Sequence, residues 1–160
     1  MKNMGKHKIN YFSSEMGPME LRDRLNKFET NLKHWKEHVN FRERSSNFAD
    51  VIKPNDINII DFLEITDEFY KIGGMIKEIY DKLKKGIVII ALQKNPKTDF
   101  GLGGMRSVEK ARLYLSIDSG EIKIVKGKNW ASLTNPNGLG RSFKLVHGAK
   151  FVPTTEWERR

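Results

Sequence analysis

Three short runs of strand-forming residues constrain this chain more than any other feature: Ile9–Ser13 (INYFS), Ile57–Leu63 (INIIDFL) and Ile87–Leu92 (IVIIAL). Each is shorter than an ordinary helix and rich in β-branched or aromatic residues. The segments between them have a different period. From Met19 to about His38, Leu21, Leu25, Phe28, Leu32 and Trp35 recur every three or four positions, and within Asp67–Lys85 so do Phe69, Ile72, Ile76, Ile79 and Leu83. That is the spacing of one helix face. Strands alternating with helices predict right-handed crossovers and an α/β fold with a mostly parallel sheet. The near-continuous IVIIAL run reads as a strand covered on both faces. Gly17-Pro18 ends the first run, and Gly86 follows the lysine-rich end of the second helix, where helix C-termini favour glycine.

The remainder is less regular. Residues 40–50 (NFRERSSNFAD) read as a loop or a short strand with turns, and 94–110 (KNPKTDFGLGGMRSVEK) as a long glycine-bearing loop. Ala111–Ile117 is a fourth strand, followed by a turn at Ser119-Gly120. Glu121–Lys128 and Arg141–His147 alternate in polarity, as half-exposed strands do, and predict an antiparallel hairpin joined through the turn-rich residues 129–140. The expected organisation is one domain over 1–152 and a tail over 153–160.

The chain has 160 residues, enough for one real core, with 38% apolar and 31% charged residues. It contains no cysteine, which excludes disulfides and thiolate metal sites and fits a reducing, cytoplasmic setting. No apolar run reaches the roughly 20 residues of a membrane span, and no apolar stretch follows the basic opening MKNMGKHK, so neither a membrane partner nor a signal peptide is expected. The net charge is +9, unevenly spread: residues 51–83 carry four basic and seven acidic groups, whereas 84–112 carry seven and two, and 119–160 carry eight and three. Two basic segments after an acidic one favour a polyanionic partner such as nucleic acid or nucleotide.

Ligand sites of open α/β sheets lie at the carboxyl ends of strands. Glu15 follows the first run, Asp61 interrupts the second in I-I-D-F-L-E, and Gln93 directly follows the third in V-I-I-A-L-Q. A carboxylate there suits a Mg²⁺–nucleotide, since a hard cation takes oxygen ligands, often through water. A neighbouring carboxylate can polarise an attacking water, and an amide can sense a γ-phosphate. Other features read as structural. His34 and His38 are four apart on a helix, but a metal site needs at least a third ligand and none is suggested, so they read as a solvated face. Trp35 lies on the apolar stripe, and Gly101–Gly104 lacks a following Lys-Ser/Thr and reads as loop flexibility. Trp130 and Trp157 could stack on bases, Trp130 in particular because its stretch is basic.

These pieces together resemble the C-terminal part of the RecA-like ATPase core of DnaB-type replicative DNA helicases. Tyr11–Leu25 (YFSSEMGPMELRDRL) is similar to that family's F-S-L-E-M-x-x-x-x-L-x-x-R-L segment, and Ile57–Ile65 (INIIDFLEI) to its L-I-V-I-D-Y-L-Q-L Walker B strand. Val88–Pro96 (VIIALQKNP), Ser107–Leu115 (SVEKARLYL) and Lys123–Asn129 (KIVKGKN) resemble the family's next three segments in the same order, so the resemblance runs over roughly residues 8–150. It implies a RecA-like P-loop NTPase fold, ATP and Mg²⁺ as cofactors, single-stranded DNA as partner, a hexameric homo-oligomer and a part in DNA replication, in a phage or mobile element. By the same resemblance, Glu15 is the catalytic glutamate, Asp61 the Walker B aspartate holding Mg²⁺ through water, and Gln93 the γ-phosphate-sensing glutamine. Lys126 and Lys128 stand where the family reaches a neighbouring subunit's nucleotide. Lysine at 128 keeps the charge of the family's arginine without its bidentate fork, and Arg141 is an alternative finger. Lys94, Lys97, Arg106 and Lys110 fall on the segment matching the DNA-binding loop.

The sequence departs from the family in one respect: it contains no G-x-x-x-x-G-K-[ST], the loop that cradles nucleotide phosphates. The strand leading into that loop normally stands beside those ending at Gln93 and Ile117. Without it, those two are expected to pair with each other or to be supported by another chain. The chain is thus expected to be a partial core, inactive alone, with an inactive nucleic-acid-binding or oligomer-interacting remnant as the other reading. A primase-helicase or recombinase-type ATPase would use the same core.

Overall fold

The computed structural model describes residues 5–160, so the first half of the basic opening MKNMGKHK lies outside the described residues. The chain forms two compact units, one ending at Gln93 and the other spanning Lys94–Arg160.

The first unit is built on strands β1 (Ile9–Ser13), β2 (Val39–Glu43), β3 (Ile57–Asp61) and β4 (Ile87–Ile90). They form a four-stranded, wholly parallel sheet in the order β2-β1-β3-β4. Residues that are neighbours in a parallel register share a face. One face therefore carries Phe12, Asn58 and Ile60, of which none is more than 1% exposed. Helix α3 (Ile72–Asp81) covers it, presenting Ile72, Ile76 and Ile79, joined by Phe48, Ile52 and Leu63. The periodicity read from sequence is present, but the regular helix is shorter than Asp67–Lys85. Phe69–Lys71 forms a separate 3₁₀ turn after Glu68, whose φ of 53° breaks the helical path. Phe69 is consequently exposed.

The segment Met19–His38 divides likewise, into α1 (Pro18–Leu25) and α2 (Leu32–His38). Pro18 opens α1 at a position where its missing N–H costs nothing. Asn31 restarts the helix by accepting a hydrogen bond from the Lys33 N–H at 2.8 Å, a capping signal that the apolar spacing hides. Trp35 meets the Phe28 ring edge-on at 5.6 Å and buries its indole N–H. Residues 40–50 contribute β2 and a 3₁₀ turn at Phe48–Asp50.

Strand β4 differs most from expectation. It pairs with β3 and, among the described residues, with no other strand. Its Ile87 and Ile89 are 52% and 54% exposed, so the strand is covered on one face and not on both. The expected alternative of β4 pairing with the strand at Ala111–Ile117 is not realised, because that strand belongs to a different sheet.

Inside the first unit, Asn58 carries a dense set of bonds. Its side chain accepts from Lys53 N at 3.0 Å and donates to the carbonyls of Lys53, Asp56 and Ile87 at 3.0, 3.2 and 3.3 Å. Gly86 packs against the same turn. A Cβ there would lie 2.4 Å from the Asp56 carbonyl oxygen and 2.8 Å from that of Pro54. Its role is close backbone approach rather than the helix end that the sequence suggested.

The second unit is an antiparallel five-stranded sheet, larger than the expected hairpin. Strands β5 (Leu113–Asp118), β6 (Glu121–Gly127), β7 (Leu139–Val146) and β8 (Lys150–Pro153) follow one another, and β9 (Glu158–Arg159) also pairs with β7. In β5, Ser116 is buried while Leu113, Leu115 and Ile117 are exposed. Residues 153–160, expected as a tail, lie along the sheet. Arg160 bridges to Glu121 at 3.1 Å and to Glu158 at 2.7 Å, and its N–H donates to the Gly138 carbonyl at 3.0 Å.

Two substitutions test this packing. Asn58→Leu removes the acceptor of the Lys53 N–H and one donor from each of three carbonyls, of which those of Lys53 and Asp56 keep a backbone partner, and is expected to cost about 3 kcal/mol. Gly86→Ala must push two backbone segments apart, with an expected cost of about 1–3 kcal/mol. Urea unfolding of each variant against the unaltered chain measures both, and an unchanged midpoint would remove the assigned role.

Candidate functional site

The parallel register brings the carboxyl ends of β1, β3 and β4 side by side. Ser13 is in register with Asp61, and hydrogen bonds lace the segments that follow. Ser14 N donates to the Asp61 carbonyl at 3.0 Å, the Ser14 hydroxyl donates to the Phe62 carbonyl at 3.1 Å, and Leu63 N donates to the Ala91 carbonyl at 3.0 Å. The Asp61–Phe62 peptide is cis. Sheet geometry thus collects three segments whose sequence signals lie as far apart as residues 15 and 93.

Glu15 sits in the bend between β1 and α1. Met16 N donates to the Ser13 hydroxyl at 2.9 Å, and the Met16 side chain is buried, 5% exposed. This anchored bend leaves Glu15 in solvent, with no hydrogen bond or ion pair to another described residue. Gln93 is likewise exposed, three positions beyond the end of β4. Asp61 is half-buried at the last position of β3. The three therefore stand in sequence order at adjacent strand ends.

Tyr11 belongs to the same site and was not singled out from the sequence. It is in register with Ile59, two positions before Asp61 on the same face. Its hydroxyl donates to Asp61 Oδ2 in a very short hydrogen bond. Burial, then donation to Asp61, then the carboxylate's charge push the phenol well above the ordinary tyrosine range, opposed in part by Arg24. The available signal was the alternation of β1 combined with its pairing to β3. Alternation is legible in a sequence, but the pairing is not.

The basic residues on the second unit are largely committed to its own structure. The Lys94 ammonium, only 13% exposed, meets Asp118 at 2.6 Å and the Thr98 carbonyl at 3.0 Å. This bond is the main cause holding the Asp118 carboxyl below its usual range. Lys126 donates to the carbonyls of Val108 and Glu109 at 2.6 and 3.2 Å. Burial, then the charge of Lys128, lower its pKa, while Glu109 acts the other way. Arg141 donates twice to the Thr155 carbonyl, at 3.1 and 2.7 Å, and lies over the Trp157 ring at 5.3 Å. Lys97, Arg106, Lys110 and Lys128 are exposed. Lys128 adjoins the exposed Trp130.

The segment 94–110 is a loop, as expected, with local structure of its own. Lys94 and Gly101 form an antiparallel bridge, and Gly104–Val108 is a 3₁₀ turn. The Tyr114 hydroxyl accepts from Gly101 N at 2.7 Å and lies 3.0 Å from the Ser107 hydroxyl. Gly103 and Gly104 take φ of 90° and 59°, so these glycines serve a fixed left-handed path.

No protein family and no curated protein matches the sequence. Solved structures match its fold. The structure of the RadB recombinase aligns with a TM-score of 0.56 at 10% identity, covering 89% of this chain and 77% of its own. A KaiC-like protein from the hyperthermophilic archaeon Pyrococcus horikoshii OT3 aligns with a TM-score of 0.55 at 14% identity, covering 96% of this chain and 79% of its own. The α/β fold with a parallel sheet, flanking helices and an antiparallel sheet is thus the RecA-like fold. Among the described residues, no helix is long and apolar enough to cross a membrane.

The Tyr11–Asp61 bond is testable through pH. A phenol that holds its proton more tightly in the folded state contributes stability that is complete below the ordinary tyrosine range and is lost as pH rises toward the folded value. Tyr11→Phe is expected to lower stability by about 1.5 kcal/mol near neutrality and to flatten the decline above roughly pH 10. Parallel alkaline curves for the two proteins would show that this phenol does not titrate with folding.

Proposed function

We propose that this chain is the ATPase-core portion of a DnaB-type replicative helicase, coupling nucleotide hydrolysis to movement along single-stranded DNA within an assembled, hexameric protein. The observation that carries this reading is the placement of Glu15, Asp61 and Gln93, in order, at the carboxyl ends of adjacent parallel strands. The RecA-like fold supports a nucleotide-hydrolysing core in general. The helicase assignment rests on the segment resemblances.

The donor set fits the chemistry. Asp61 offers carboxylate oxygens to Mg²⁺, through water, and Tyr11 orients that carboxylate by donating to one oxygen. The exposed Glu15 is positioned by the Ser13–Met16 turn to polarise a water, and Gln93 supplies an amide for a terminal phosphate. Mg²⁺, when bound with nucleotide, supplies charge neutralisation at the phosphates. Lys97, Arg106 and Lys110 are candidate contacts to a DNA backbone, and Lys128 is the remaining candidate for reaching a neighbour's nucleotide. Lys94, Lys126 and Arg141 would each have to exchange an internal hydrogen bond for that duty.

A second reading is favoured by one specific observation. The chain has no G-x-x-x-x-G-K-[ST], so the phosphate cradle is not encoded in these residues. On this reading the chain is a nucleic-acid-binding or oligomer-interacting remnant that does not hydrolyse ATP.

One experiment addresses both readings. The chain is joined behind the phosphate-loop segment of a DnaB-type helicase, and hydrolysis is measured with and without single-stranded DNA. The ATPase reading expects Mg²⁺-dependent turnover that falls at least about 100-fold in Asp61→Asn and in Glu15→Gln. Undiminished hydrolysis by Asp61→Asn sinks the Walker B role. No turnover, together with single-stranded DNA binding that weakens steeply with salt, favours the remnant.

A further inference from the structure

We infer that His34, Glu37 and His38 form a binding site for a late first-row transition-metal dication on α2. The three residues occupy positions i, i+3 and i+4, which place them on one helix face. One ligand atom from each lies within 4.8 Å of the others. Metal–nitrogen bonds of about 2.1 Å in a tetrahedral site require ligand atoms roughly 3.4 Å apart. A small rotation of the exposed His34 and Glu37 side chains would supply the difference. Glu37 is the third ligand that the sequence did not suggest.

Three further features prepare the site. His38 Nδ1 stands 2.9 Å from the His34 carbonyl oxygen. A carbonyl can only accept, so Nδ1 carries the hydrogen, and in the neutral ring this leaves on Nε2 the lone pair that ligates a metal. Metal-binding histidines use the same contact, from the ring nitrogen facing away from the metal to a carbonyl. The two imidazole rings already lie with centroids 4.2 Å apart. Glu37 adds the anionic oxygen, and its ion pair with Lys33, at 4.0 Å between well-exposed groups, is weak enough to exchange.

Two imidazoles and one carboxylate select Zn²⁺, Co²⁺, Ni²⁺ or Cu²⁺ over Mg²⁺, which prefers an oxygen shell. Three protein ligands leave a fourth position to solvent. Coordination would also staple a seven-residue helix, too short to persist without support. None of this rests on the nucleotide reading, because the residues lie on α2, before the amino end of β2 and not at the carboxyl ends of β1, β3 and β4.

The test uses the 160-residue chain, stripped with chelator and titrated with Co²⁺ alone, followed by its visible d–d absorption. Zn²⁺ then competes, with excess Mg²⁺ present throughout. The site predicts saturation at one equivalent, displacement by Zn²⁺ and indifference to Mg²⁺. His34→Ala and His38→Ala should each weaken binding at least about 10-fold, on the scale seen when metal-site contacts are removed. Glu37→Gln should weaken it less, and His7→Ala with His147→Ala should leave it unchanged. Because the three side chains are exposed or half-buried, the variants should keep the unaltered far-ultraviolet dichroism in the absence of metal. Equal Co²⁺ affinity in the chain and in the His34→Ala/His38→Ala variant, or no saturable binding, overturns the site.

Discussion

The first unit depends on satisfying one buried amide. Asn58 stands in the middle of a parallel sheet with no exposure to water, and such a group is tolerated only if its bonding capacity is met. It is met by the turn at Lys53–Asp56 and by the start of β4. The bonds therefore couple a turn, the strand it feeds and the next strand across. They fix where β3 and β4 begin, and so where both strands end. A slip of one residue would turn Ile60 outward and Asp61 inward, which would remove the site together with the core. The apolar layer of Phe12, Ile60, Ile72 and Ile79 supplies the burial, while Asn58 supplies the register.

The candidate site at the strand ends inherits this precision. The backbone sets Ser13 beside Asp61, and side chains refine the arrangement through the Ser14 hydroxyl and the Tyr11 phenol. Glu15 and Gln93, in contrast, keep their side chains exposed to solvent. The same distinction orders the basic residues. A lysine with an acid and a carbonyl within 3.0 Å, as Lys94 has, contributes to net charge but is not a free contact. The number of basic residues in the second unit therefore overstates the direct contacts it offers a polyanion.

The sequence was most informative where one period governs a whole element. The cores of β1, β3 and β4 coincide with their apolar runs, and the α3 stripe coincides with its buried face, because burial on a fixed face leaves a direct imprint on residue choice. It was least informative where a local competitor acts. The break between α1 and α2 turns on the Asn31 cap, which does not interrupt the apolar spacing. Segment 94–110 looks like a loop by composition, yet the Tyr114 hydroxyl organises it from the following strand. Pairings between distant strands were out of reach for the same reason: β1 reads as a strand, but nothing in Ile9–Ser13 says that β3 is its neighbour. Tyr11 and Glu37 were missed as partners of residues that were recognised, each being defined by a neighbour in space and not by its own context.

The arrangement of residues 150–160 has a consequence for how this chain is made. One stretch of β7 pairs with β8 and the stretch before it with β9, while Arg160 reaches back to Glu121 at the start of β6. That side of β7 is thus completed by residues synthesised after everything they pack against. While the ribosome still holds residues 154–160, the backbone groups at Leu139 and Gly140 lack their partners. The second unit must then wait, partly assembled, until residues 154–160 have emerged, whereas every strand of the first unit has already been synthesised by Gln93.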